Sequence, residues 1–483
     1  MKQYKNIQIA KFLTCVACVV IAVGMAGCKK AIDVGAPTTS INTANVYSSD
    51  GTAEAAVSGL FTTLAAPSHM YNGQASVSLQ QGLAADEFTY YAAPSPAPAT
   101  LFYTNTLTTQ NNNNYYWPEI YSEIFSCNSI IQGLNSAVAS SLTATIKSQL
   151  LGEVKFTRAF IYFNAVNLYG DVPLVLGTDP TVNSVLSRSP AATVLQQVVQ
   201  DLTDAQSALP DNSYISLAGI TSTSRILPNK QAASALLARV YLYSKDWKNA
   251  EAQASNVIGS SSYVLEPVLT NVFLKTSRET IWEIQSISTS LGNADANSLL
   301  MIAAPTTVAN DFALSNSLLN AFESGDNRFI SWVGKLQSGT TTYYYAAKYK
   351  QNIVASAQLI TEYPIMFRLA EQYLIRAEAR AQQNNLSDAQ SDLNVIRTRA
   401  GLGNTTAATQ TDLLNAIYRE RRIELFTEFG HRWFDLKRTG QLDTVMSVAA
   451  PLKGGTWSSY KALIPLPLTE IQADSHLTQN PGY

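Results

Sequence analysis

Two stretches of this sequence repeat one helical hairpin. Residues 231–243 and 247–258 have the spacing of two amphipathic helices joined by a short turn, and so do residues 368–382 and 386–399. Ala238, Trp247, Ala250, Ala254 and Val257 correspond to Ala377, Leu386, Ala389, Leu393 and Ile396 at one constant offset. Small residues facing one another let antiparallel helices approach closely, while Trp247 and Leu386 fill the turn ends. A hairpin of this kind cannot bury its own apolar face, so it must stack on a neighbour. The expected fold is therefore mainly α: helical pairs of the tetratricopeptide type (231–258 and 368–399) forming a scaffold.

Other segments extend this pattern. Apolar residues from Thr52 onward and from Ile146 to Tyr169 are spaced for helix faces, the second run ending at Gly170-Asp171-Val172-Pro173. A further helix is expected to open with Ser189 as N-cap and Pro190 in its first turn, and to stop at Pro210. Residues 263–366 differ in character. Val272-Phe273, Thr280–Ile284 and Tyr343-Tyr344-Tyr345 suggest short strands in an irregular, aromatic-rich region laid on the helices. Tyr90–Pro98 and Thr108–Asn114 read as loops.

The amino terminus bears on compartment. Lys2, Lys5 and Lys11 precede the apolar run Phe12–Ala26, which is short for a membrane span and suits a secretory leader. The run ends in Met25-Ala26-Gly27-Cys28, which looks like a bacterial lipobox, so Cys28 is expected to carry lipid, palmitate included. The expected organisation is a leader over 1–27, a tether over 28–50 and one domain over 51–483. Cys15 and Cys18 leave with the leader, and Cys127 alone cannot form an internal disulfide. Losing the three leader lysines takes the net charge from −2 to −5, which argues against a nucleic-acid partner.

Several motifs in a fixed order resemble the SusD/RagB family of surface nutrient-binding lipoproteins. They are the lipobox cysteine, Glu153–Asp171 with its Tyr169-Gly170-Asp171-Val172-Pro173 ending, Ser277–Ile284 and Phe322–Arg328. Arg419–Leu425, Glu428 with Gly430–Arg438, Ile464-Pro465 and the closing Gln479–Tyr483 complete the series. The resemblance implies tetratricopeptide-like pairs beside an irregular ligand face and a SusC-like TonB-dependent β-barrel transporter as partner. It also implies non-catalytic oligosaccharide binding at the outer-membrane surface, with no cofactor.

The residues themselves offer little for catalysis. His69, His431 and His476 are scattered, with no Cys or His at metal-ligand spacing, and no nucleophile elbow or phosphate loop is present. A glycoside hydrolase needs two carboxylates across the scissile bond; Asp86 and Glu87 are adjacent, and adjacent side chains usually point apart. The Arg/Glu-rich run around Arg421, Glu424, Glu428 and Arg432 could be an anion site, but it is better read as an ion network locking the last helices. Aromatics remain. A pyranose ring stacks its C–H face on Tyr or Trp and needs polar groups at its rim. Loops within 70–117 and 263–366 supply that mixture, including Tyr71–Gln74 and Tyr115–Trp117. Tyr90, Tyr91, Tyr103 and Trp332 are the expected stacking residues, with Asp86 and Asn105 as polar partners. On this expectation, replacing Trp332 and Tyr90 by alanine abolishes binding and hardly moves thermal unfolding, and Trp247, Trp282 and Trp433 go to the core. A docking scaffold that binds peptide or no small ligand remains the alternative.

Overall fold

The computed structural model describes residues 46–67, 69–92, 95, 97–110, 115–211, 214–215, 221–222, 224–288, 290, 292–305 and 312–483. The expected leader, Cys28 and the expected tether up to residue 45 lie outside the described residues, as do Pro94, Pro96 and Asn111–Asn114. No helix among the described residues is long and apolar enough to cross a membrane.

Helix α1 spans Asp50–Leu64, opened by the Ser49 hydroxyl accepting the Thr52 N–H. It is followed by α2 (Val77–Ala84), α3 (Pro98–Tyr103), α4 (Trp117–Leu134) and α5 (Ala144–Tyr169). Then come α6 (Ala191–Ala208), α7 (Lys230–Tyr243) and α8 (Trp247–Ile258). The second repeat supplies α9 (Leu369–Gln382) and α10 (Leu386–Arg399), and the chain continues through α11 (Gln410–Glu424), α12 (His431–Arg438) and α13 (Leu442–Leu452). Helices α5 and α6, α7 and α8, and α9 and α10 pack as consecutive pairs, and α8 rests on α9 so that the pairs form one stack. At that junction Ala238, Ala250, Ala254 and Ala379 are fully buried beside Leu242 and Ile375, so helix backbones meet through methyl groups. Ala377, Ala389, Leu393 and Ile396 form the matching interior of the second repeat. This is the tetratricopeptide-like arrangement that the repeat demanded.

Two local expectations shift. Helix α6 begins at Ala191, not at Pro190, because Ser189 is pulled into a β-bridge with Val172. Asp171 provides the cap instead, its Oδ1 accepting the Ala191 N–H at 2.8 Å. Val272-Phe273 is not a strand; it follows a 3-10 turn over Leu269–Asn271 and is buried.

The irregular layer contains short antiparallel pairs. Strand β1 (Phe88–Tyr90) pairs with β3 (Phe312–Leu314), β2 (Thr280–Glu283) with β6 (Ile365–Arg368), and β4 (Val333–Ser338) with β5 (Thr341–Ala346). Gly334 lies under the Tyr345 ring so closely that a Cβ there would come within 2.2 Å of it, so any larger residue must displace that ring.

This layer is fastened to the helices by a buried ion network. The Arg368 guanidinium, at the end of β6, donates to Glu279 at 2.9 Å, to Glu424 at 2.5 Å and to Glu428 at 2.7 Å. Arg399 bridges Glu279 and Glu424; Arg328 bridges Asp326, Glu420 and Glu424; Lys348 pairs with Glu428 at 2.5 Å. Burial pushes the Glu424 carboxyl up, but Arg399, Arg368 and Arg328 outweigh it and hold it well below the usual carboxylate range. Removing Arg368 takes a shared cation from Glu279, Glu424 and Glu428 at once and leaves buried negative charge in excess. Arg368→Met is expected to lower unfolding free energy by about 3–5 kcal/mol, read from urea denaturation. A loss under about 1 kcal/mol would show that the network is not what holds the layer.

Candidate functional site

The segment from Asp86 to Tyr91 leaves the end of α2 and is fixed on both sides. Lys453, just past α13, inserts its ammonium against the carbonyls of Leu83, Ala84 and Ala85 at 3.0, 2.8 and 2.8 Å. These are terminal carbonyls of α2, where a cation complements the helix dipole. Burial pushes the Lys453 ammonium down to about 7, against the opposing pull of Asp86. Its Nζ also lies 5.2 Å from the centre of the Tyr103 ring.

Asp86 is an anchor and not a rim group, which corrects the expectation that it contacts ligand. Its Oδ1 accepts Arg432 Nε–H at 2.7 Å, and its Oδ2 accepts Arg432 Nη2–H, Arg422 Nη2–H and the Ser317 hydroxyl at 3.0, 2.8 and 3.0 Å. Burial pushes its carboxyl up, yet Arg432 and Arg422 more than reverse this and hold it well below its ordinary value. Glu87 is also buried; burial pushes it up to about 7, while the Thr427 N–H donates to its Oε1 at 3.1 Å and pulls the other way.

Past these anchors β1 carries Tyr90 into an aromatic cluster. The Tyr90 ring lies 5.6 Å from Tyr103 and 6.3 Å, near-parallel, from Phe312 on the paired strand β3. Tyr91 meets Tyr343 of β5 edge-to-face at 5.7 Å. Tyr91 is 40% exposed, while Tyr90, Tyr103 and Tyr343 are half-buried. Three of the six expected residues thus fall in this region as two ring pairs, Tyr90 with Tyr103 and Tyr91 with Tyr343. Phe312 and Lys453 had no readable signal: a short Phe-Ala-Leu strand and one lysine after an apolar helix gain meaning only through distant partners.

The other expected residues are placed elsewhere. Trp332 is 1% exposed: its Nε1–H donates to the Leu269 carbonyl at 2.9 Å, and its ring packs at 5.5 Å against Phe273 beneath Lys348. It is a core residue, so truncating it would open a cavity and not spare stability. Asn105, with φ +54°, turns the chain after α3; its Nδ2–H donates to Ala84 O at 3.0 Å, and its buried Oδ1 has no partner. Asn105 lines a small cleft with Gln81 and Trp433. Tyr71, Tyr116 and Trp117 are buried as well. Trp282 and Trp433 are buried as expected, whereas Trp247 is half-buried against the α7–α8 interior.

A stack of helical pairs bearing an ion-locked irregular layer with a partly exposed tyrosine cluster defines a helical-repeat protein with an aromatic face. Two family models match it, one described as "SusD family" over residues 333–483 and one as "Starch-binding associating with outer membrane" over residues 54–242. The chain belongs to the SusD/RagB family. SusD-like protein P2 of Formosa agariphila is 27% identical over 425 residues, covering 76% of this chain and 80% of that protein. A SusD superfamily structure from Bacteroides vulgatus superposes with a TM-score of 0.76 at 20% identity, covering 90% of this chain and all of the other. A structure described as a laminarin binding SusD-like protein gives 0.73 at 24% identity, covering 90% and 99%.

The raised Glu87 pKa sets a pH dependence. An acid whose folded pKa lies above its unfolded value costs stability as pH climbs from the unfolded value of 4.5 to about 7. Glu87→Gln should therefore leave stability at pH 4 nearly unchanged and raise it at pH 8 by up to about 3 kcal/mol relative to the parent. Urea midpoints at the two pH values check this; an equal effect at both would contradict it.

Proposed function

We propose that this chain binds oligosaccharide at the outer membrane, without acting on it chemically, and delivers it to a SusC-like TonB-dependent β-barrel transporter. The observation that carries this reading is the tyrosine cluster of Tyr90, Tyr91, Tyr103 and Tyr343, open to solvent at Tyr91 and braced from behind. Edge-to-face tyrosines present flat apolar faces with hydroxyl rims, which suits a sugar ring's C–H face and its ring of hydroxyls. The names of the matched family and of the laminarin binding neighbour support a glycan as the ligand class. The two carboxylates on the segment leading into the cluster support binding without hydrolysis. Asp86 is committed to Arg422 and Arg432, and Glu87 to the Thr427 amide, so neither is placed as an acid or nucleophile at an open face.

Attachment completes the proposal. Residues 1–27 serve as a leader, Cys28 carries the lipid, 28–50 form the tether, and 51–483 form the binding domain that faces the cell exterior. A tether of that length lets the domain close over a transporter mouth while staying at the membrane.

Calorimetry with starch- and laminarin-derived oligosaccharides on the chain lacking Cys28 tests the reading. Tyr91→Ala and Tyr343→Ala should each weaken binding about ten-fold, with melting temperatures within about 2 °C of the parent. No heat with any oligosaccharide would favour the docking-scaffold alternative, and release of new reducing ends would overturn the non-catalytic reading.

A further inference from the structure

Strands β4 and β5 form a hairpin whose register fixes what each face carries. Gly334 stands opposite Tyr345, Leu336 opposite Tyr343 and Ser338 opposite Thr341, so these residues share one face. Lys335 stands opposite Tyr344 on the other. That second face turns inward: the Tyr344 ring lies 5.9 Å from Phe329, which meets Phe322 at 5.4 Å, and Ala346 is buried. The first face turns toward Tyr91, which is 40% exposed and meets Tyr343 at 5.7 Å.

Tyr345 is laid flat on this face. A Cβ on Gly334 would come within 2.2, 2.3 and 2.8 Å of three atoms of its ring, so the ring lies across the glycine backbone. An aromatic side chain over a cross-strand glycine fills the space that the missing side chain leaves. Unlike Tyr343 and Tyr344, Tyr345 has no ring partner among the described residues, and it is half-buried. One side of the ring is thus supported by backbone, and no second ring covers the other. The Tyr343 and Tyr345 hydroxyls make no hydrogen bond among the described residues and are not buried.

The face is also uncharged. Gly334, Leu336, Ser338, Thr341, Tyr343 and Tyr345 include no acid or base ionised at neutral pH. Charged groups near the other tyrosines are already committed: Asp86 to Arg422 and Arg432, and Lys453 to three carbonyls. An anionic sugar would find no counter-charge here, whereas a neutral one needs only ring faces and hydroxyls.

We propose that Tyr345, set flat by Gly334, is a second stacking platform beside the Tyr91–Tyr343 pair, so that the site takes a neutral glycan of at least two sugar units lying along β5. Two residues along a strand place Tyr343 and Tyr345 about 7 Å apart, which is too far for one sugar ring to cover both and suits successive units of a chain. This rests on the glycan-binding reading and narrows it to a chain length and a charge class. Gly334 acts through Tyr345 as a positioning residue.

Calorimetry compares glucose, neutral tetrasaccharides built of glucose, mannose or xylose, and tetragalacturonate as the anionic counterpart. At least one neutral tetrasaccharide should bind more than about ten-fold tighter than glucose and than tetragalacturonate. Tyr345→Ala should weaken it about ten-fold, Tyr345→Phe should restore most of the loss by keeping the ring, and Gly334→Ala should weaken it by tilting that ring. Parental affinity in Tyr345→Ala, with Tyr91→Ala still weakened, overturns the second platform and leaves glycan binding standing. Tetragalacturonate binding as tightly as the neutral chains overturns the charge class. No binding of any oligosaccharide overturns the glycan-binding reading itself, and this inference with it. Should Tyr345→Ala fail to fold, crystals of the parent soaked in the tetrasaccharide that binds decide the matter. A sugar ring within about 4 Å of the Tyr345 ring supports the platform, and a sugar confined to Tyr91 refutes it.

Discussion

The carboxylate of Glu424 is the point on which the two layers of this protein turn. It is fully buried at the end of α11 and accepts from Arg328, Arg368 and Arg399, each from a different element. Arg399 ends a scaffold helix; Arg328 and Arg368 belong to the irregular layer. In low dielectric such contacts are strong individually and costly to leave incomplete. Irregular backbone has few helical hydrogen bonds of its own to hold it. Charge pairing supplies the rigidity that secondary structure would otherwise give, and the tyrosines stand on that frame.

The helical half of the molecule was legible in the sequence for a simple reason: its contacts are local. Ala238 and Ala250 lie on adjacent helices of one hairpin, so spacing alone predicts that they meet, and they do so at the expected bounds. The candidate site is different. Asp86 meets Arg422 and Arg432 across more than 300 residues, and no periodicity announces that pairing. Trp332 shows the same limit from the other side. In an irregular segment an aromatic has no face to be assigned to, so a core tryptophan and a ligand platform look alike. Tyr90, Tyr91 and Tyr103 could be singled out because they cluster near a loop rich in proline, but which of them faces water was decided by β1 pairing with β3. The run around Arg421 and Glu424 is structural, as its spacing of Arg and Glu predicts: Arg421 pairs with Asp435, and Glu424 with three arginines.

The composition suits the proposed role. Charged residues make up 14% of the chain, and those tyrosines that reach solvent, Tyr91 among them, offer surface that is polar at its tip and apolar across its ring. Tyrosine has few rotatable bonds, so a cluster such as Tyr91 against Tyr343 loses little freedom on meeting a ligand. Bracing by Lys453 beneath Tyr103 lowers that cost further. Capture without chemistry needs this kind of preorganised face.

Hydrogen–deuterium exchange with and without a bound oligosaccharide tests the central claim most directly. The account predicts slowed exchange in 88–91 and 341–346 on binding, with the repeat at 230–258 unchanged, because the braced tyrosine strands meet the ligand and the scaffold does not. Protection confined to the helical repeat, with those strands unaffected, would contradict it.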